Sequence, residues 1–481
     1  MLRLTHGHAL TRRKLLEAAG AGLFGLSLPK LLAAEATAPT IAPRAKSVIF
    51  MTLFGGPSQL ETFDLKPNAP EKIHGPFKPT ACKTPGLLIS DQLPRLAACS
   101  DKFSVIRSMT HGYNDHSTAG HYIQTGHPWH IPIGGGFNAT PRDWPSIGSV
   151  VEYLDQNQSS RLPKRTSAAN LPNYVVAPNF LGKLEEYSIQ LRRPGEYAGW
   201  LGRGYDPLTT TINKRDKKDN PYFRDCTDEE LNYQIQGLSL PAELSLDRVG
   251  RRQSLLSQFD DQLRIADQHA GIAAMDKFQA RAFTLATSQE TRQALDIRQE
   301  PAELRDKYGR NLWGQSVLLA RRLVEAGVRY VTVQYDAVDG YSWDSHLHSD
   351  DVKKFLLPSL DNALASLLED LSVRGLLDET LVVCLGEMGR TPQANGTWGR
   401  GHWSTLFPAV IAGAGIRGGT VYGGSDKDAA YPIDRPTSPE DLAATIYHTL
   451  GIDHHLQLPD ATGRPVSIND GGRPLAELFG S

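Results

Sequence analysis

S-V-I-F-M-T-L-F, residues 47–54, is apolar and β-branched and stops abruptly at Gly55-Gly56-Pro57. Apolar side chains at successive positions, with no polar alternation, predict a strand covered on both faces, followed by a tight turn. Working outward, residues 103–109, 174–177, 328–335, 380–385 and 408–412 predict further strands. Helical spacing at 116–125 (closed by Gly126 and Pro128), 145–155, 311–327, 351–373 and 439–450 falls between or beside them. Strands alternating with helices of this length predict an α/β fold with a mostly parallel, buried sheet.

Residues 182–301 break the pattern. Arg, Lys, Asp and Gln dominate there, and helical periodicity at 241–269 and 271–298 predicts a mainly helical insertion or cap outside the sheet. No internal repeat, heptad run or low-complexity tract interrupts the rest.

The first 38 residues read as an export signal. T-R-R-K-L-L carries Arg12 and Arg13, a mildly apolar region follows at 18–32, and Ala34, Ala36 and Ala38 suit a signal peptidase. A twin-arginine signal implies the twin-arginine export machinery as a partner and a periplasmic or extracytoplasmic location in a bacterium. This pathway carries folded proteins, often with a metal installed. Residues 39–481 are then expected to form a single domain. The charge balance, 51 basic against 53 acidic residues for a net −2, gives no pull toward nucleic acid or anionic membrane. No transmembrane span is expected once the signal is removed. The four cysteines lack metal or scaffold spacing; Cys82 and Cys99 are one conceivable disulfide, and Cys384 reads as a buried packing residue.

Eight of the fifteen histidines fall in three short stretches. His111, His116, His121, His127 and His130 crowd one segment with Asp115; His346 and His348 follow Asp344; His402 lies in G-R-G-H-W. Imidazole nitrogens and carboxylate oxygens are the donor set for zinc and similar ions. Each stretch follows or precedes a predicted strand, and sites in open parallel sheets form beyond the carboxyl ends of strands.

Asp344 and His348 are four apart, so a helical turn would aim both at one ion, with His346 between. A loop held by a His–Asp hydrogen bond is the bland alternative. Glu387 ends the strand at 380–385 and is either a ligand, a general base or the partner of Arg390 in a salt bridge. Arg390 and Arg400 are candidates to steady an oxyanion. In the histidine-rich segment, Asp115 and His116 are the better candidates, whereas His127 and His130 border Trp129 as loop residues would.

F-G-G-P-S-Q-L-E-T-F-D, R-S-M-T-H, W-D-S-H, G-E-M-G-R-T-P, G-R-G-H-W and I-R-G-G-T-V-Y-G together resemble domain of unknown function family 1501. That exported bacterial family is similar in fold to the alkaline phosphatase and sulfatase superfamily. The resemblance implies a central, mostly parallel sheet sandwiched by helices, a one- or two-metal site at strand ends, and phosphate or sulfate ester chemistry. It maps the first metal onto Asp344, His348 and His402, with His346 or His116 as a fourth ligand. The second set falls on Gly55-Gly56 and Glu387-Met388, where methionine is a poor ligand for a hard cation, so one ion rather than two is expected. The nucleophile position, counted back from Thr125-Gly126, falls on His116; Ser117 or Thr118 would serve only under a shifted alignment.

These readings predict an exported metal-dependent hydrolase of small-molecule or glycan esters, with zinc as the expected ion. Water bound to zinc has its pKa lowered to about 7, which suits a chain without a nucleophile in the usual place. The alternative is a non-catalytic exported binding or assembly protein retaining a degenerate metal site. A third reading has the histidines only stabilising loops.

Overall fold

The computed structural model describes residues 41–129, 139–157, 162, 171–178, 193–212, 219–235, 288–335 and 342–480. The export signal, His130, the helices expected at 241–269 and most of 271–298 lie outside the described residues. Pro43–Ser481 forms one compact unit.

Nine strands build the main sheet: β1 (Ser47–Leu53), β2 (Phe103–Met109), β3 (Tyr174–Ala177), β4 (Leu208–Thr211), β5 (Gln234–Ile235), β6 (Tyr330–Tyr335), β7 (Thr380–Leu385), β8 (Phe407–Ala412) and β9 (Thr420–Tyr422). Their order is β9-β2-β8-β7-β1-β6-β3-β4-β5. β1 lies at the centre and pairs in parallel with β6 and β7, while β8 and β5 run antiparallel to their neighbours. The fold is therefore α/β with a mostly parallel sheet, as the strand pattern and the resemblance predict.

The apolar run of β1 has the expected cause. Ile49, Met51 and Leu53 join one core with α3 (Leu312–Glu325) and α4 (Leu357–Val373). Val48 and Phe50 join a second core, on the other face, with α2 (Ile147–Asn157) and α5 (Pro439–Thr449). Period-two side-chain alternation thus divides one strand between two apolar layers.

The stretch 182–301 contributes more to the sheet than its polar character suggests. β4 and β5 extend the sheet edge from inside it. They escape a hydrophobic reading because they are short and only half-buried along most of their length.

The four cysteines are free, so Cys82 and Cys99 form no disulfide. Both pack against the first core, and Cys384 is buried within β7 as expected. Among the described residues no helix is long and apolar enough to cross a membrane.

Candidate metal centre

The carboxyl ends of β1, β2, β6 and β7 share one rim of the sheet, and the segments leaving them converge there. β1 ends at Gly55 and Gly56, whose φ values of 107° and 76° favour glycine. A Cβ on Gly55 would lie 2.3 Å from the Asp344 backbone nitrogen, so the missing side chain is what lets the two turns meet.

Asp344 is the hub, buried to 7% exposure. Its Oδ1 lies 3.0 Å from His346 Nε2 and 3.2 Å from His402 Nε2, and also accepts from the Arg390 guanidinium. Its Oδ2 lies 3.3 Å from His116 Nε2. Burial alone would raise the Asp344 pKa; hydrogen bonds from His116 and His402, with the charges of His116 and Arg390, hold it far below the usual carboxylate range.

His116 and His402 are each aimed by the other ring nitrogen. His402 Nδ1–H donates to the Asn114 carbonyl at 2.7 Å, which turns Nε2 toward Asp344. His116 Nδ1 lies 2.5 Å from Glu387 Oε1. Glu387 is itself fixed by the Gly55 N–H, 3.0 and 3.2 Å from its two oxygens. Burial opposes a charge on His116, but the Asp344 and Glu387 carboxylates outweigh it and push its pKa up to about 9. His111 accepts from the Tyr113 N–H and donates from Nε2 to the Glu387 carbonyl at 2.7 Å. Burial lowers its pKa to about 4, so it is a neutral strut beneath the Glu387 turn.

A donor set for a divalent ion should have nitrogens and oxygens spaced as tetrahedral ligands. Bonds of ~2.0 Å put neighbouring ligand atoms about 3.3 Å apart. The observed separations are 2.9 Å (His346 Nε2 to His402 Nε2), 3.0, 3.2 and 3.3 Å. His116, Asp344 and His402 form one of two donor groups that converge in this way among the described residues. A hydrogen-bond acceptor behind each of His116 and His402 is the outer partner that metal-bound histidines need. The residues present fit a zinc-like ion.

The site departs from its expected form in five places. His348 does not join it, because residues 343–346 form two successive three-residue turns, with N–H to carbonyl bonds from Ser345 to Trp343 and from His346 to Asp344, rather than a helix. In that geometry His346 takes the place beside Asp344, while His348 bridges to Trp398. Asp115 caps α1 (His116–Thr125), accepting from the Thr118 N–H at 2.8 Å, which is the ordinary duty of an N-cap aspartate.

Glu387 is 1% exposed and spent on His116 and Gly55, so it is a positioning carboxylate rather than a general base open to substrate. Arg390 is fully buried and ion-pairs with Asp344, not with Glu387. It donates to the carbonyls of Gly55, Gly56 (2.9 Å) and Arg400 (3.1 Å) as well as to Asp344, leaving nothing for an oxyanion.

Arg400 is equally occupied, bonded to Glu61 at 3.0 Å and to the carbonyls of Ile73, Thr391 and Pro392. Ser117 and Thr118 are buried in the first turn of α1. His121 and His127 are packing residues: His121 accepts from the Trp144 N–H and donates to the His127 carbonyl, and His127 stacks on Trp144 at 3.8 Å. Asn114 was missed by sequence reasoning because it acts through its backbone carbonyl, which any residue carries.

The chain belongs to the family described as "Protein of unknown function (DUF1501)", which it matches over residues 45–479. No curated protein matches it. Among solved structures it is similar to the lipoteichoic acid synthase LtaP from Listeria monocytogenes, with 11% identity, TM-score 0.37, and coverage of 90% of this chain and 76% of that one. It is also similar to the PsFucS1 sulfatase from Pseudoalteromonas sp., with 12% identity, TM-score 0.36, and coverage of 91% and 72%. A third is the phosphonate monoester hydrolase SpPMH from Silicibacter pomeroyi, with 12% identity, TM-score 0.34, and coverage of 90% and 76%.

Proposed function

We propose that the chain is a metal-dependent hydrolase acting on phosphate or sulfate esters, small-molecule or glycan, with one divalent ion at the rim. One observation carries this reading: three donors from three distant segments, His116, Asp344 and His402, come within 4.8 Å of one another at the carboxyl ends of a parallel sheet. His346 is the outermost donor, standing where a fourth protein ligand or the reacting water would bind. When bound, the ion supplies Lewis acidity, polarising an ester oxygen and lowering the pKa of water to about 7.

The chain's own groups have separate duties. Glu387 orients His116, the Asn114 carbonyl orients His402, and Arg390 holds Asp344 ionised. His346 keeps 38% of its side chain exposed, the largest share among the four donors, so the rim opens to solvent on its side. Export through the twin-arginine route to an extracytoplasmic compartment belongs to the same proposal and is supported by Arg12 and Arg13.

One observation favours the second reading, a binding or assembly protein with a degenerate site. His116 lies between two carboxylates at 2.5 and 3.3 Å, so a protonated imidazole satisfies the centre without any ion. The deciding experiment measures turnover of aryl phosphate, aryl phosphodiester and aryl sulfate by metal-loaded protein beside His402→Ala, with the bound ion counted in both. Turnover lost in the variant supports the hydrolase. No turnover in the wild type, with the ion confirmed, supports the binder. A wild-type chain whose ion content matches that of His402→Ala removes the metal centre and the hydrolase with it.

A further inference from the structure

A second group of donors lies outside the rim site. Asp453, His454 and His455 follow α5 and the turn that closes it, and each presents a ligand atom within 4.8 Å of the other two. Three successive residues rarely aim at one point, because neighbours on a strand or helix diverge. Here the chain is bent: Asp453 Oδ1 accepts the His455 N–H at 2.9 Å, and that side-chain turn folds the tripeptide onto itself. The two imidazole rings end 4.0 Å apart, centre to centre.

His454 adds an independent observation. Its Nδ1 is shut off from solvent and has no hydrogen-bond partner, although the residue as a whole is only half-buried. A polar atom removed from water without a partner is unfavourable, and a cation bound at that nitrogen would relieve it. Asp453 and His455 are exposed, so side-chain torsions alone can close the donors to coordination distance.

We infer that Asp453, His454 and His455 form a second, surface cation site, open to water in its remaining positions and selective for imidazole-preferring divalent ions such as Zn²⁺ or Cu²⁺. Two imidazoles and one carboxylate exclude Mg²⁺ and Ca²⁺ as preferred occupants, since those ions take oxygen ligands. The site is chemically independent of the rim centre and of any hydrolytic activity.

The test titrates full-length, untagged protein with Zn²⁺ and with Cu²⁺ by calorimetry, and counts retained ions by elemental analysis. The variants are His454→Ala/His455→Ala and His402→Ala. The wild type is expected to bind two equivalents, and each variant one. The double variant still carrying its rim ion shows that it is folded. A double variant that binds as many ions as the wild type overturns the second site. A loss in the double variant without one in His402→Ala overturns the rim centre instead, so the two failures read differently.

Discussion

Asp344 meets two kinds of positive partner, one on each side. Toward the open rim it faces the Nε2 atoms of His116, His346 and His402, the donors that the proposed removable cation would use. Toward the interior it faces Arg390, whose guanidinium is enclosed by the carbonyls of Gly55, Gly56 and Arg400. The inner side therefore resembles an oxygen-lined cation site in which the cation is covalently part of the protein. This accounts physically for expecting one ion rather than two: Gly55-Gly56 supplies no carboxylate, Met388 is fully buried, and a fixed guanidinium already carries the charge. A permanent charge thus fixes the inner side, and under the proposed function an exchangeable one would occupy the outer side.

Substitutions at four positions test that division. The largest effect is expected from Arg390→Met, which leaves the Asp344 carboxylate and several buried carbonyls unmatched. Breaking one partner of a buried pair costs about 3–5 kcal/mol, so chemical denaturation should show a loss of that size, only partly recovered in Arg390→Lys. A loss below about 0.5 kcal/mol would mean the interior cation is dispensable.

His402→Ala should do the reverse. It removes a half-exposed side chain, leaves the unfolding midpoint of the ion-free chain nearly unchanged, and weakens Zn²⁺ binding by more than about 100-fold, beyond what loss of an outer partner causes. Equal ion affinity in the variant would remove His402 from the ligand set.

Glu387→Gln is expected to weaken Zn²⁺ binding by about 10- to 100-fold, as loss of an outer carboxylate does, while still accepting the Gly55 N–H. Unchanged affinity combined with abolished turnover would return Glu387 to the role of general base. Asp115→Ala should be the mildest, costing about 1 kcal/mol as a helix cap and leaving ion affinity alone. Calorimetry showing a collapse in affinity would make Asp115 a ligand after all.

Legibility in the sequence followed burial. β1, β2 and β7 were readable because nearly every residue is buried and most are apolar, whereas β4 and β5, short and half-buried, left no such trace. Asp344, His116, His346 and His402 announced themselves by donor chemistry at strand ends. The error at His348 came from imposing helical spacing on a segment built from three-residue turns. The duties of Arg390 and Glu387 were not readable at all, since a guanidinium or carboxylate is used inward or outward according to what the fold places against it.

β8 runs antiparallel to β7, so it starts at the rim where β7 ends. The whole excursion between them returns as a ribbon in which Gly389–Arg390 pairs with His402–Trp403. One contiguous peptide thereby delivers the built-in cation, the orienting carboxylate and an imidazole that faces Asp344. In genetic terms these three functions travel as a cassette: a single in-frame deletion between Leu385 and Phe407 would erase them together while sparing the strands on either side.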